Sequence, residues 1–319
     1  MIKKQFEVIT VGELNVDLIL NNINGYPEVG KEKMAENMML TLGSSSAIFA
    51  SNLSSLGAKV SFLGKIGGDM FGELVENSLL QKGVDISNLI NEPNLPTGVT
   101  VVFNYEEDRA NVTYPGAMEA FTINDVSDQV LSSAKHMHFA SLFLQKGIKP
   151  NALELFKRAK ELGLTVSLDT QWDPDEKWEF DYENLLPYVD LFMPNAVEFM
   201  CLTKSETIQQ GIAKVLPFSN HIVIKNGNKG SILVNKNGTI KNFPNFINSN
   251  VIDAIGAGDS FNAGFIFKYT QGAPLEECQR FGNLTGALNT TAAGGTTAFS
   301  SRDKIVKIAK NRFGETICI

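Results

Sequence analysis

Cysteine is scarce: Cys201, Cys278 and Cys318 are the only three in 319 residues, too few and too widely spaced for a disulfide framework or a zinc pattern. With 43% hydrophobic residues the chain can bury a large core without such staples. Long apolar runs are also missing. The opening MIKKQFEVITVGELNVDLIL is interrupted by Glu7, Glu13 and Asp17, and no later stretch approaches membrane-spanning length. Excess positive charge is absent, and a net charge of −7 argues against nucleic acid or an anionic membrane as partner. No G-x-x-x-x-G-K-[ST] loop and no H-R-D or D-F-G set occurs, which sets aside the Walker-type and protein-kinase routes to phosphoryl transfer. The first strand runs into Gly12-Glu13-Leu14-Asn15 rather than G-x-G-x-x-G, so a dinucleotide-binding start is set aside too. These absences describe an acidic protein of the reducing cytoplasm.

What is present centres on VIDAIGAGDSFNAGF, residues 251–265. Asp253 closes an apolar segment, Gly256, Ala257 and Gly258 make a turn with almost no side-chain bulk, and Asp259 stands where an amphipathic helix would begin. Small residues let backbone N–H groups converge on an anion, and a helix N-terminus adds partial positive charge there. A carboxylate at such a place repels phosphate unless it accepts a proton, which is the task of a base facing a nucleophilic alcohol. The alternative is a glycine turn capped by an aspartate.

Along the chain, Phe6–Val11 reads as a buried strand whose exit carries Glu13 and Asp17, where Asp17 is either a ligand contact or a solvated acid. Residues 18–41 alternate with turn formers and form a β excursion. Ser44 to Ser46 cap a helix that Gly57 ends, a strand follows over Val60–Leu63, and Asp69–Gln81 is a helix terminated by Gly83. Gly98–Phe103 and Ala110–Tyr114 are β segments joined by the acidic turn Glu106-Glu107-Asp108-Arg109, in which Arg109 balances the acids. His136 and His138 share a strand face but lack a third metal ligand nearby. From Asn151 helices alternate with unbroken apolar strands, the pattern of a parallel sheet covered on both faces. Asp169-Thr170-Gln171-Trp172-Asp173 ends one of those strands, and Trp172 and Trp178 either stack on a ligand or pack under a loop. Asn195 and Glu198 share one side of a first helical turn, as holders of magnesium-bound water or as a capping box. Lys225 to Gly230 is a glycine loop, 274–292 a helix and 301–312 a closing amphipathic helix.

G-E-L-N-V-D, L-G-A-K-V-S-F-L-G-K-I-G-G-D-x-F-G, N-x-x-E and D-x-x-G-A-G-D with S-F-N-A-G-F, in that order, resemble the motifs of the PfkB (ribokinase-like) carbohydrate kinases over most of the chain. The resemblance implies an α/β fold, a ribokinase-like three-layer α/β/α domain over residues 1–319 with a mostly parallel sheet and a small β lid from about 14–41 and 97–118. It implies an ATP-dependent kinase acting on the hydroxymethyl group of a small carbohydrate such as ribose, fructose or 2-keto-3-deoxygluconate. The alternatives are a nucleoside kinase or a non-catalytic sensor on the same fold. Asp259 would be the base, with Gly256, Ala257 and Gly258 as the anion hole. Asp17, Gly43, Ser44 and Gln171 would meet the substrate, while Asn195, Lys225, Gly227, Gly230 and Asn283 would meet the nucleotide. Glu198 would hold Mg2+ through water, and Asp253, with the Gly294 loop, a monovalent cation for which K+ is the candidate. A homodimer through the lid is implied as well. Four positions depart from the family: Ser44 for Gly, Ile48 and Gln171 for Asn, and Lys225 for Thr.

Overall fold

The computed structural model describes residues 4–105 and 108–319. Strand β1 (Phe6–Val11) leads to β2 (Asn15–Ile23) and β3 (Ala35–Leu42), and helix α1 (Ser45–Leu56) returns to β4 (Val60–Leu63). The short β5 (Lys65–Gly67) and β6 (Ile90–Glu92) flank α2 (Met70–Gln81), followed by β7 (Gly98–Tyr105) and β8 (Asp108–Tyr114). Then come α3 (Asp128–Ser132), β9 (Ala134–Ala140), α4 (Ala152–Glu161), β10 (Thr165–Asp169), α5 (Tyr182–Leu185) and β11 (Leu191–Phe192). Helices α6 (Ala196–Thr203) and α7 (Ile208–Val215), strand β12 (His221–Lys225) and the hairpin β13 (Ser231–Val234) and β14 (Ile240–Phe243) precede α8 (Ala257–Thr270), α9 (Leu275–Asn289) and α10 (Arg302–Phe313).

Eight strands form the main sheet in the order β14-β13-β12-β11-β10-β9-β1-β4, parallel from β12 through β4 and antiparallel at the β13–β14 end. Alternation along the strands divides their apolar side chains between two cores. Ile222 and Ile224 pack with α4, α6 and α7 on one face, while Val223 packs with α1, α8 and α9 on the other. That division makes three layers.

The second sheet, β3-β2-β7-β8, is built from the predicted β excursion and the pair that follows it. Its register places Asp17, Thr100 and Thr113 side by side on one face. Glu106 and Glu107 of the acidic turn lie outside the described residues, and Asp108 and Arg109 belong to β8.

One helix departs from expectation. Rather than amphipathic, α8 is enclosed from Asp259 through Phe267, because it runs between α1 and α9 instead of on the surface. At Gly264 the contact is so close that a Cβ would lie 2.0 Å from Thr285 Oγ1, a hydroxyl already donating to the carbonyls of Phe281 and Gly282. Gly264→Ala is therefore expected to destabilise the protein by about 1–3 kcal/mol, seen as a lower denaturant midpoint. An unchanged midpoint would mean that the two helices separate freely. Val251 and Ile252, before Asp253, form no strand and are 56% exposed.

Candidate active site

Both faces of the 256–259 turn border a cavity. Gly256 and Asp259 line one of about 230 Å³, together with Asp17, Ser44, Gln171 and the polar face of the small sheet. Ala257 and Gly258 line the other, of about 210 Å³, with Lys225, Gly227, Gly230 and Asn283. The turn is thus a partition between two cavities.

Its backbone follows from its residues. Gly256 has φ 74°, and a Cβ there would stand 2.8 Å from Gly295 Cα and 3.0 Å from Ile48 Cγ2. Helix α8 begins at Ala257, so the first N–H groups have no carbonyl behind them. The Ala257 amide differs from expectation: it turns back to the Ala254 carbonyl at 3.2 Å. The amides of Gly256, Gly258 and Asp259 find no acceptor among the described residues.

Asp259 accepts from Gln171 Nε2 at 3.1 Å. Burial pushes its carboxyl up to about 7, helped by the charges of Asp169 and Glu13 and opposed by Lys225 and the Ser45 hydroxyl. Asp17 is raised to about 6, again first by burial; the Asn15 amide at 3.1 Å and Arg109 pull it down, and Asp253 pushes it up.

Gly43 and Ser44 serve the site from behind. A Cβ at Gly43 would meet Asp17 Oδ1 at 2.2 Å, so glycine leaves room for that carboxylate without itself lining the cavity. Ser44 caps α1 through the Ala47 amide and donates to the Glu13 carbonyl at 2.6 Å. Ile48 packs over Gly256 and Gly295 and presents hydrocarbon to the cavity.

Asn195 and Glu198 make the capping box: each side chain accepts from the other's backbone amide, at 2.9 and 3.0 Å. Neither lines the two cavities. One Glu198 oxygen has no partner among the described residues, and burial with the neighbouring Asp169 raises the carboxyl to about 7 despite Lys225. A hard cation nearby would relieve that charge, so the residue fits magnesium held through water. Asn283 donates to the Pro244 carbonyl at 3.1 Å on the wall of the second cavity. Asp253 accepts from the amides of Ile255 and Gly294, both at 2.8 Å. The adjoining carbonyls of Ile255 and Gly295 accept from Asn289 and Asn52. These hard oxygens suit a monovalent cation in kind, although N–H donors already satisfy part of their capacity.

Several residues around the cavities carry no site role that their local sequence announces. Glu13 is buried under hydrogen bonds from Ser44, Ser46 and Ser141, and burial raises its carboxyl against them. Arg109, Asn111 and Thr113 border the first cavity at every second position of β8, an alternation visible in the residues themselves. Asp169 and Asn262 pair with Lys225, a long-range meeting that no local pattern announces. Of the two tryptophans that the sequence left between ligand stacking and packing, Trp172 lines the first cavity and Trp178 packs edge-on against it at 4.9 Å. His136 and His138 are core residues bonded to Thr165 and Ser167, and among the described residues no metal-ligating cluster includes them.

Residues 5–302 match the family model described as pfkB family carbohydrate kinase. The chain belongs to that family. This pfkB kinase is 26% identical to the 5-dehydro-2-deoxygluconokinase of Lacticaseibacillus casei over 95% of each chain. It is 25% identical to the 2-dehydro-3-deoxygluconokinase of Bacillus subtilis over 94% of each. Among solved structures, Arabidopsis thaliana ribokinase complexed with ribose and ATP superposes with TM-score 0.82 at 24% identity, covering 96% of this chain and 99% of its own. The kinase is accordingly an ATP-dependent carbohydrate kinase of ribokinase-like fold. No helix among its described residues is long and apolar enough to cross a membrane.

Proposed function

We propose that this kinase moves the γ-phosphoryl group of ATP onto a hydroxymethyl group of a small sugar or sugar acid, with Asp259 taking the alcohol's proton. The observation that carries this is the partition: Asp259 and Gly256 line one cavity and Ala257 and Gly258 the other, so the two spaces meet across four residues. Asp17 and the small sheet would hold hydroxyls, since Asn15, Thr100 and Thr113 already form a hydrogen-bonded row beside Asp17. Ile48 offers no hydrogen bond, so the acceptor would turn hydrocarbon toward it. In the second cavity Lys225 and the Gly227–Gly230 loop would receive phosphates, with Asn283 and the apolar Val251 toward the adenine ring. Magnesium, through Glu198 and Asn195, would neutralise phosphate charge. The amides of Gly256 and Gly258 would stabilise the transferring group.

A panel of ketoses, pentoses, sugar acids and nucleosides tested for ATP consumption decides the acceptor class. Turnover on nucleosides alone would replace the sugar reading, and ligand binding without turnover on any acceptor would make the protein a sensor. The pH profile is a second check. A base of pKa about 7 must be ionised to act, so kcat/KM is expected to fall about tenfold per unit below that value and level off above it. A flat profile between about pH 5.5 and 8 would remove a titrating base of this kind.

The small sheet's other face exposes Met38, Val112 and Tyr114, at 68%, 62% and 54%. This supports a homodimer through the lid, to be checked by sedimentation equilibrium. ATP as co-substrate and the free cysteines support a cytoplasmic location.

A further inference from the structure

Asp169 ends β10 with no exposure and lines neither cavity. Three donors from three segments nevertheless converge on its Oδ2: Lys225 Nζ from β12, Asn262 Nδ2 from α8 at 2.6 Å, and Gln171 Nε2 from the strand's exit at 3.2 Å. Oδ1 is buried without a partner among the described residues. A buried carboxylate with a bare oxygen is costly, and packing alone would be better served by a neutral side chain.

Two of those donors also reach the reacting centre. Gln171 Nε2 donates to Asp259 Oδ1 at 3.1 Å, bridging two carboxylates with one NH2 group. Its backbone is left-handed at φ 58°, a strained conformation that helps turn this amide inward. Lys225 Nζ lies 3.6 Å from where a Cβ on Gly258 would be, beside the start of α8. A glutamate at 171 would place a third negative charge between the first two, whereas an amide joins them.

We propose that Asp169 is a positioning residue for phosphoryl transfer: it holds Gln171 against the base and Lys225 beside Gly258, so that proton acceptor and phosphate-facing cation keep one geometry. The role rests on the kinase reading above. With a phosphoryl group beside Gly258, Lys225 stands between two anions and serves the second without leaving the first. Asp169→Asn keeps the shape and one acceptor oxygen but removes the charge that anchors the lysine.

The test combines steady-state kinetics with calorimetric titration of ATP in the absence of sugar, on Asp169→Asn, Gln171→Ala and their double variant. Expected for Asp169→Asn is a kcat lower by about tenfold to a hundredfold, with ATP affinity unchanged or tighter. Asp259 is faced by Asp169 from β10, Glu13 from the β1–β2 connection, Lys225 from β12 and the Ser45 hydroxyl from α1. Losing one of the two acids is expected to move the acid limb of kcat/KM to lower pH. The double variant should cost no more than the worse single, because both act through one contact. A kcat within about twofold of the parent, single effects that multiply, or ATP affinity lost in step with kcat would each overturn the positioning role. Should Asp169→Asn not fold, Asp169→Glu keeps the charge but moves it by one methylene: a kcat lowered about tenfold with ATP affinity kept supports the anchor, and a parent-like kcat overturns it. Asp259→Asn alongside separates the two levels, since full turnover there removes the kinase reading's base. Full turnover in Asp169→Asn beside a slow Asp259→Asn overturns the positioning role alone.

Discussion

Asp259→Asn is expected to lower kcat by about a hundredfold or more while leaving ATP affinity nearly intact. A hundredfold corresponds to about 2.7 kcal/mol of lost transition-state stabilisation, the scale of a missing general base. The fold should tolerate the change, because an asparagine oxygen can still accept from Gln171 Nε2, the contact that Asp259 makes at 3.1 Å. Burial already holds the carboxyl near 7, so an uncharged side chain at this position adds no new desolvation cost. Single-turnover kinetics with the best acceptor, beside ATP titration, checks the expectation. Parent-like turnover would take residue 259 out of the chemistry, and a joint loss of ATP binding would mean the partition itself had moved.

The second large effect is expected at Gly256. An alanine there must adopt φ near 74° while its Cβ meets Gly295 Cα at 2.8 Å and Ile48 Cγ2 at 3.0 Å. The left-handed conformation costs about 1–2 kcal/mol for a residue with a Cβ, and the overpacking adds about 1–3 kcal/mol. Ile48 can yield, but Gly295 is backbone, so the turn has to shift. A shift of about 1 Å in the amides that border the phosphates would cost about a hundredfold in rate. Gly256→Ala is thus expected to lose both stability and kcat, measured by denaturant midpoint and steady-state rate. Relief by Ile48→Ala in the same chain would trace part of the loss to that contact. A parent-like rate in Gly256→Ala would show that the turn's position does not limit transfer.

Much of the fold was legible from local pattern. The alternation after Asn151 marks the parallel sheet because strands buried on both faces are apolar throughout, and Ser44 and Gly57 mark both ends of α1 through their own chemistry. The exposure of Val251 and Ile252 was not legible, because an apolar pair before a turn looks the same whether it enters a sheet or stays at the surface. The environment of α8 was also hidden: its residues do not say that α1 and α9 will enclose it on both sides.

For the site, the glycines, the aspartate after them and the helix that follows lie within a few residues, and adjacency in the chain is enough to forecast a turn that collects amides beside a carboxylate. Composition and missing motifs removed whole classes of function on the same local terms. What folding alone decided are the meetings across the sheet. Asp169, Lys225 and Asn262 come from three elements up to 93 positions apart. Their pairing depends on strand order and on how far each strand runs before it ends. The raised carboxyls of Asp259 and Asp17 are likewise properties of enclosure, since desolvation is set by everything that surrounds a group and not by its neighbours along the backbone.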